Sequence, residues 1–185
     1  YLTSLFALVR RGLAQPGEVL LVHGAAGGVG AAAIQVGRAL GLTTIAVTSD
    51  ERKRAFAAAR GADHAVCGAN WQEAVREIVG AAGVDLVLDP VGGDRLVDSL
   101  RLLAPEGRLL VVGFTAGEIP TVKVNRLLLG NIGVLGAASR EFFERQPALM
   151  GELWTHYLHL RKTGALADPP VEVWPFARQA LQAVE

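Results

Sequence analysis

A single cysteine, Cys67, stands in a chain of 185 residues, so no internal disulfide can form and no cysteine-rich structural zinc site can be assembled. Its expected place is as a small hydrophobe in the core. Net charge is missing too. The 18 Lys and Arg balance the 18 Asp and Glu, which leaves no field to draw nucleic acid or an anionic membrane. No apolar run is long enough to span a bilayer, no secretory leader pattern opens the chain, and low-complexity segments are absent. Chemistry-bearing clusters are scarce as well. His23 ends an apolar run and reads as a packed histidine, while His64 and His156 have no partner at metal-ligand spacing. Neither a Ser/His/Asp set nor a pair of carboxylates stands out for hydrolysis, so no catalytic acid, base or metal ligand is assigned within the chain. These absences point to a soluble, cytoplasmic protein acting on small molecules.

What is present is apolar surface, 51% of residues, arranged in short runs that alternate with helical spacing. Val19–His23 is a continuous apolar run bounded by Pro16-Gly17 and a glycine cluster, as suits a strand buried on both faces. Helical spacing from Val29 to Leu40 follows, stopped by Gly41. Strands are expected at Thr44–Thr48, His64–Val66, Val84–Asp89, Arg108–Val112 and Asn131–Leu135. Helices are expected at Asp50–Arg60, Trp71–Val79, Arg95–Leu103 and, as one long piece, Glu141–Lys162. Such alternation predicts an α/β fold: a doubly wound, six-stranded parallel sheet of the Rossmann type with helices on both faces. The expected layout is a linking helix over 1–14, the sheet domain over 15–165, and over 166–185 a return into a further domain. The opening residues lack an initiator Met, and Trp174–Glu185 reads as a helix in progress, so a piece of a longer polypeptide is expected.

The first strand runs straight into Gly24-Ala25-Ala26-Gly27-Gly28-Val29-Gly30. A phosphate held at a helix N-terminus is bound by backbone N–H groups and the helix dipole, so the chain must come close to it. Side chains at Gly27 and Gly28 would block that approach, and a small residue at Gly30 lets the helix pack closely. Against the G-x-G-x-x-G fingerprint, Ala25 replaces the first glycine, yet the turn follows a strand and opens a helix, as the fingerprint requires. The end of the second strand bears on the choice of dinucleotide. An acidic residue there holds a ribose 2′-OH, whereas this chain offers Thr48 and Ser49, then Asp50, Glu51 and the basic run Arg52-Lys53-Arg54. A neutral strand end followed by cations suits a 2′-phosphate and hence NADP. Asp50 either caps the next helix or serves as a displaced ribose ligand.

These residues resemble the zinc-independent quinone oxidoreductases, the zeta-crystallin-like branch of the medium-chain dehydrogenase/reductase superfamily. Besides the glycine turn, the matching stretches are Gln15–Glu18, Ala59–His64, Asp89–Gly93, Gly107–Phe114 and Asn125–Leu129. The resemblance implies that Thr3 lies near the nicotinamide of NADPH, that Ser49 and Lys53 lie near the 2′-phosphate, and that Gly113 and Phe114 line the nicotinamide end. Gly92 and Gly93 would shape the loop between. It implies an NADPH-dependent enzyme delivering hydride to a quinone or an activated alkene, with most of the substrate domain outside this chain. An enoyl-thioester reductase, including a polyketide synthase module, shares the same turn. A zinc alcohol dehydrogenase with its ligands before Tyr1, and a nucleotide-binding module without turnover, also stay open. The chain departs from the family pattern at Cys67-Gly68, where relatives carry a ring over the adenosine end, at Gly130, and at Ala137-Ala138-Ser139. Finally, the sixth strand should form a sheet edge next to apolar Leu127-Leu128-Leu129, which two copies would cover as a homodimer about a two-fold axis. The alternative is that the helix from Glu141 folds over that edge in a monomer.

Overall fold

The computed structural model describes residues 1–168. Six strands form one all-parallel sheet: β1 (Val19–Val22), β2 (Thr43–Thr48), β3 (His64–Cys67), β4 (Val84–Asp89), β5 (Leu103–Val111) and β6 (Gly133–Gly136). Their order across the sheet is β3-β2-β1-β4-β5-β6, so the chain switches direction between β1 and β4. Among the described residues, eight α-helices connect and cover them: α1 (Leu2–Leu5), α2 (Gly28–Ala39), α3 (Glu51–Ala59), α4 (Trp71–Val79), α5 (Asp94–Ser99), α6 (Asn125–Gly130), α7 (Ser139–Arg145) and α8 (Pro147–Lys162).

The two-residue period of the strands divides the core in two. Leu20, Val22, Leu86, Leu88 and Leu110 point to one face and meet Phe6, Leu8, Ile34 and Leu153. Leu21, Ile45, Val47, Val87 and Leu109 point to the other, against Trp71, Val75, Leu96 and Leu100. Because both faces are covered, β1 is apolar at every position and β4 is apolar without a break from Leu86 to Leu88, rather than at every second one. At roughly 25 cal/mol per Å² of apolar surface, this two-sided burial is the main stabilising term.

The opening segment is more than a surface link. Leu5, Phe6, Ala7 and Leu8 are all fully buried, in a row that one amphipathic stripe cannot accommodate. After α1 the chain widens into a π-helix over Phe6–Arg11, with Gly12 N–H donating to the Ala7 carbonyl at 2.7 Å. Its end is tied to the sheet by Arg108. Nε donates to the Gly12 carbonyl at 2.6 Å and the two Nη groups form a fork on Glu18, at 2.7 and 2.9 Å. Further bonds to the Leu13 and Asp85 carbonyls, at 3.2 and 3.4 Å, bring every N–H of the guanidinium into use.

Several elements differ from expectation. Glu141–Lys162 is not one helix: Gln146 is non-helical (φ −134°, ψ 71°), because the ring of Pro147 disfavours helical geometry in the residue before it, and α8 starts afresh there. Helix α5 ends at Ser99 and β5 begins at Leu103, with its pairing to β4 interrupted between Val84 and Leu86. The segment before β6 is a helix, α6, ended by Asn131 in the left-handed region (φ 48°), so β6 starts at Gly133 rather than Asn131. Cys67 is half-buried at the end of β3, its Sγ 3.7 Å from a Glu51 carboxylate oxygen, rather than in the core. The helix expected from Trp174 lies outside the described residues. Among those residues, no helix is long and apolar enough to cross a membrane.

Candidate functional site

At the C-terminal ends of β1, β2 and β4 lies a cleft of about 530 Å³, the place where open parallel sheets bind ligands. One wall is the glycine turn. Gly24 leaves β1 with φ +57°, a left-handed conformation open to glycine, and its carbonyl accepts from Gly27 N–H at 2.9 Å. Gly27 then serves as the N-cap of α2 without a side-chain cap. The first helical bond runs from Ala31 N–H to the Gly27 carbonyl, so the N–H groups of Gly28, Val29 and Gly30 have no partner among the described residues. Gly28 faces open space: a methyl group there would meet nothing within 4 Å. Gly30 is the reverse, because its Cβ would lie 2.3 Å from the Gly24 carbonyl oxygen. Ser4, fully buried on α1, donates to the Val29 carbonyl at 3.0 Å and steadies this first turn.

The second wall follows β2. Asp50 caps α3, its Oδ1 accepting Lys53 N–H at 2.9 Å, and Ser49 Oγ donates to Asp50 Oδ2 at 2.9 Å. The Lys53 backbone N–H first, and then the Ser49 hydroxyl, hold the Asp50 carboxyl below the usual range. Lys53 Nζ donates to Ser49 Oγ at 2.9 Å and lies 3.4 Å from Asp50 Oδ2. Arg54 turns instead to Glu51, at 2.7 Å from Nε, so of the basic run only Lys53 reaches the cleft.

The third wall is the β4–α5 loop with Pro90, Val91 and Arg95, joined by Thr115 after β5. Asp89 is buried and Oδ1 accepts the N–H groups of Val91 and Gly92, at 2.8 and 3.0 Å, which sets the shape of this loop. Burial pushes its carboxyl upward against those bonds, and Oδ2 has no partner among the described residues. His23 is buried below. Burial lowers the imidazole to about 3, so the ring is neutral, packed edge-on against Trp71 with centroids 4.8 Å apart. A base is not needed to explain it.

The structure therefore gathers Ala26, Gly27, Gly28, Val29, Gly30, Ser49 and Lys53 in one cleft. Gly92, Gly113 and Phe114 stand just beyond its rim. A Cβ on Gly92 would lie 2.7 Å from the Phe114 ring and one on Gly113 would lie 3.4 Å from the Pro90 carbonyl. Thr3 is elsewhere, in a groove with Tyr1, Leu2, Trp154 and Tyr157. Gly24 and Thr48 join the cleft residues, and Val47, Pro90, Val91, Arg95 and Thr115 complete the lining without having been singled out for it. For the β4–α5 residues, the signal available was Gly92-Gly93 at a strand end. Unpartnered N–H groups at a helix start, a Cβ-free surface and two cations suit a ligand carrying phosphates.

Fold and turn together define a nucleotide-binding domain of the Rossmann type. Residues 28–155 match the family model described as "Zinc-binding dehydrogenase", and the chain belongs to that family. Among the described residues, no three His, Cys, Asp or Glu side chains gather as a metal site. Quinone oxidoreductase-like proteins recur among its relatives, in line with the sequence resemblance. Quinone oxidoreductase-like protein 2 of Bos taurus is 43% identical over 139 residues, 74% of this chain and 40% of its own length. A structure from Mycobacterium abscessus titled "probable oxidoreductase" is 41% identical with a TM-score of 0.84, and covers all of this chain and 56% of its own. The quinone oxidoreductase of Thermus thermophilus, solved also in complex with NADPH, is 40% identical with a TM-score of 0.71, over 82% of this chain and 48% of its own. The nucleotide-binding subdomain of the PpsC enoylreductase domain from Mycobacterium tuberculosis has a TM-score of 0.79 at 25% identity, over 90% of this chain and 94% of its own. The chain spans about 40% of the length of the first curated relatives it matches.

Proposed function

We propose that this chain is the cofactor half of a cytoplasmic reductase that takes NADPH and delivers hydride to a quinone or an activated alkene. The observation that carries the reading is the α2 N-terminus, whose three unpartnered N–H groups open on a cleft that also holds Ser49 and Lys53. When bound, the nicotinamide supplies the hydride. Gly28, Val29 and Gly30 would hold the pyrophosphate through their N–H groups. Ser49 and Lys53 would meet the 2′-phosphate. Asp50 is occupied in capping α3, which speaks against its use as a ribose ligand. Gly92, Gly113 and Phe114, beyond the rim, would border the path toward the nicotinamide. The NADPH complex of the Thermus relative supports the choice of cofactor. A single half-buried thiol suits a reducing compartment.

A second reading, an enoyl-thioester reductase domain, draws on the match to the PpsC subdomain. It predicts the same cofactor and a different acceptor. Titration of the chain with NADPH and NADH tests the cofactor. NADPH is expected to bind about 1–3 kcal/mol more tightly, and Lys53→Ala to shrink that gap. Equal affinities in the wild type would overturn the NADP preference, and binding of neither would overturn the reading as a whole. Hydride transfer by the full-length parent to 1,4-benzoquinone or to crotonyl-CoA separates the two acceptors, and transfer to neither would leave a binding module.

A further inference from the structure

The wall opposite the glycine turn carries a guanidinium that none of these roles uses. Arg95 lines the cleft from the first turn of α5 and is half-buried. Its side chain forms neither an ion pair nor a hydrogen bond among the described residues. Lys53, the other cation of the cleft, is shared with Ser49 and Asp50. Nearby Asp89 feels the charge of Arg95, but its Oδ1 accepts the amides of Val91 and Gly92 and it forms no ion pair with the guanidinium. A cation drawn partly out of water without a carboxylate in direct contact is unfavourable, and an anion entering the cleft offsets that cost.

The mount beneath it is rigid. Ser99 Oγ donates to the Arg95 carbonyl at 2.7 Å and lies 2.7 Å from His23 Nε2, so His23 donates to that hydroxyl in turn. His23 is the last residue before the glycine turn, and Trp71 packs against its ring. This chain of contacts holds the α5 turn at a set distance from the N-terminus of α2.

We propose that Arg95 is a phosphate ligand of the dinucleotide, reaching a phosphate oxygen from the side opposite the Gly28–Gly30 amides. The proposal rests on the reading of the cleft as an NADPH site. A guanidinium fork presents two parallel donors to two phosphate oxygens, and here it does so from the side that the amides at the helix start leave open. The phosphate is the pyrophosphate or the ribose 2′-phosphate, and the two nicotinamide cofactors tell them apart.

The test is titration of the full chain and its Arg95→Gln and Arg95→Lys variants with NADPH, NADH and adenosine, alongside thermal melts without ligand. Arg95→Gln is expected to weaken NADPH by about 10- to 100-fold, with Arg95→Lys recovering part of the loss. An equal loss for NADH assigns the contact to the pyrophosphate, and a loss confined to NADPH assigns it to the 2′-phosphate. Adenosine, which has no phosphate, should bind all three proteins alike. Unchanged NADPH affinity in Arg95→Gln would overturn the proposal. So would a matching loss for adenosine, which marks stacking on the base, or a lowered melting temperature, which marks a structural role. A wild-type chain that binds neither cofactor would defeat the reading of the cleft itself, a different failure.

Discussion

Gly28 and Gly30 sit two residues apart and demand glycine for opposite reasons. A Cβ at Gly30 would lie 2.3 Å from one backbone atom of the turn and 2.7 Å from another, so Gly30→Ala must push α2 away from it. The expected cost is about 1–3 kcal/mol in urea unfolding, together with weaker NADPH binding. Gly28→Ala has room for its methyl group and should leave stability within about 0.5 kcal/mol, or slightly raise it. Its affinity for NADPH should nevertheless fall, because the methyl group stands where a phosphate must approach; full affinity would show that the backbone is not approached there. His23 gives a pH signature. Its folded value, about 3, lies below the unfolded value near 6.5, so its support of the fold is complete above that value and lost as pH falls toward 3. Relative to His23→Gln, the wild type should lose about 1.4 kcal/mol per pH unit between roughly pH 6 and 4. Asp89, shifted upward, acts in the opposite sense but is common to both proteins and cancels in the difference. Parallel curves would show that the buried imidazole does not titrate. The glycine turn, Ser49 and Lys53 could be read from residues because each follows its strand directly. Arg95 could not, because its relevance depends on β4 lying beside β1, some sixty residues away in the chain, which only the sheet order reveals.

At the scale of elements, apolar runs and glycine stops located every strand; the signal is clearest for β1, which is buried on both faces and leaves an unbroken apolar run. What escaped were features set by a single residue or by tertiary contact. Pro147 splits one apparent helix into two, and Asn131 closes a helix that the Leu127–Leu129 run did not announce. The π-helix over Phe6–Arg11 was hidden for another reason: its widening answers to packing against the sheet, and no periodicity of the local sequence encodes it. Arg108 shows how much such a contact holds. Its side chain and that of Glu18 are 16% and 21% exposed, so their fork is sheltered from most solvent screening. Arg108→Lys keeps the charge but loses the fork and leaves carbonyls of Gly12 and Leu13 unsatisfied. A loss of about 2–4 kcal/mol is expected in urea unfolding. A double-mutant cycle with Glu18→Gln should show coupling above about 1 kcal/mol, and a coupling near zero would mean that the backbone bonds alone matter.

For the molecule as a whole, β6 leaves one edge of the sheet open, and Leu128 and Leu129 beside it are 75% and 78% exposed. Helix α8 packs on α1 and α7. We propose that two copies pair across this edge about a two-fold axis, covering both leucines. Light scattering should find a dimer at micromolar concentration that Leu128→Lys converts to monomer. A monomeric wild type would end the proposal, and a dimer indifferent to the lysine would move the interface elsewhere. The sheet order has another consequence, in time rather than space. During synthesis β1, β2 and β3 emerge first, and β1 remains an open edge until residues 84–89 arrive to pair with it. The cleft takes one side from residues 24–53 and the other from residues 90–115, so it does not exist in a half-made chain. A ribosome-bound intermediate that ends before β4 should therefore present the glycine turn and still retain no cofactor.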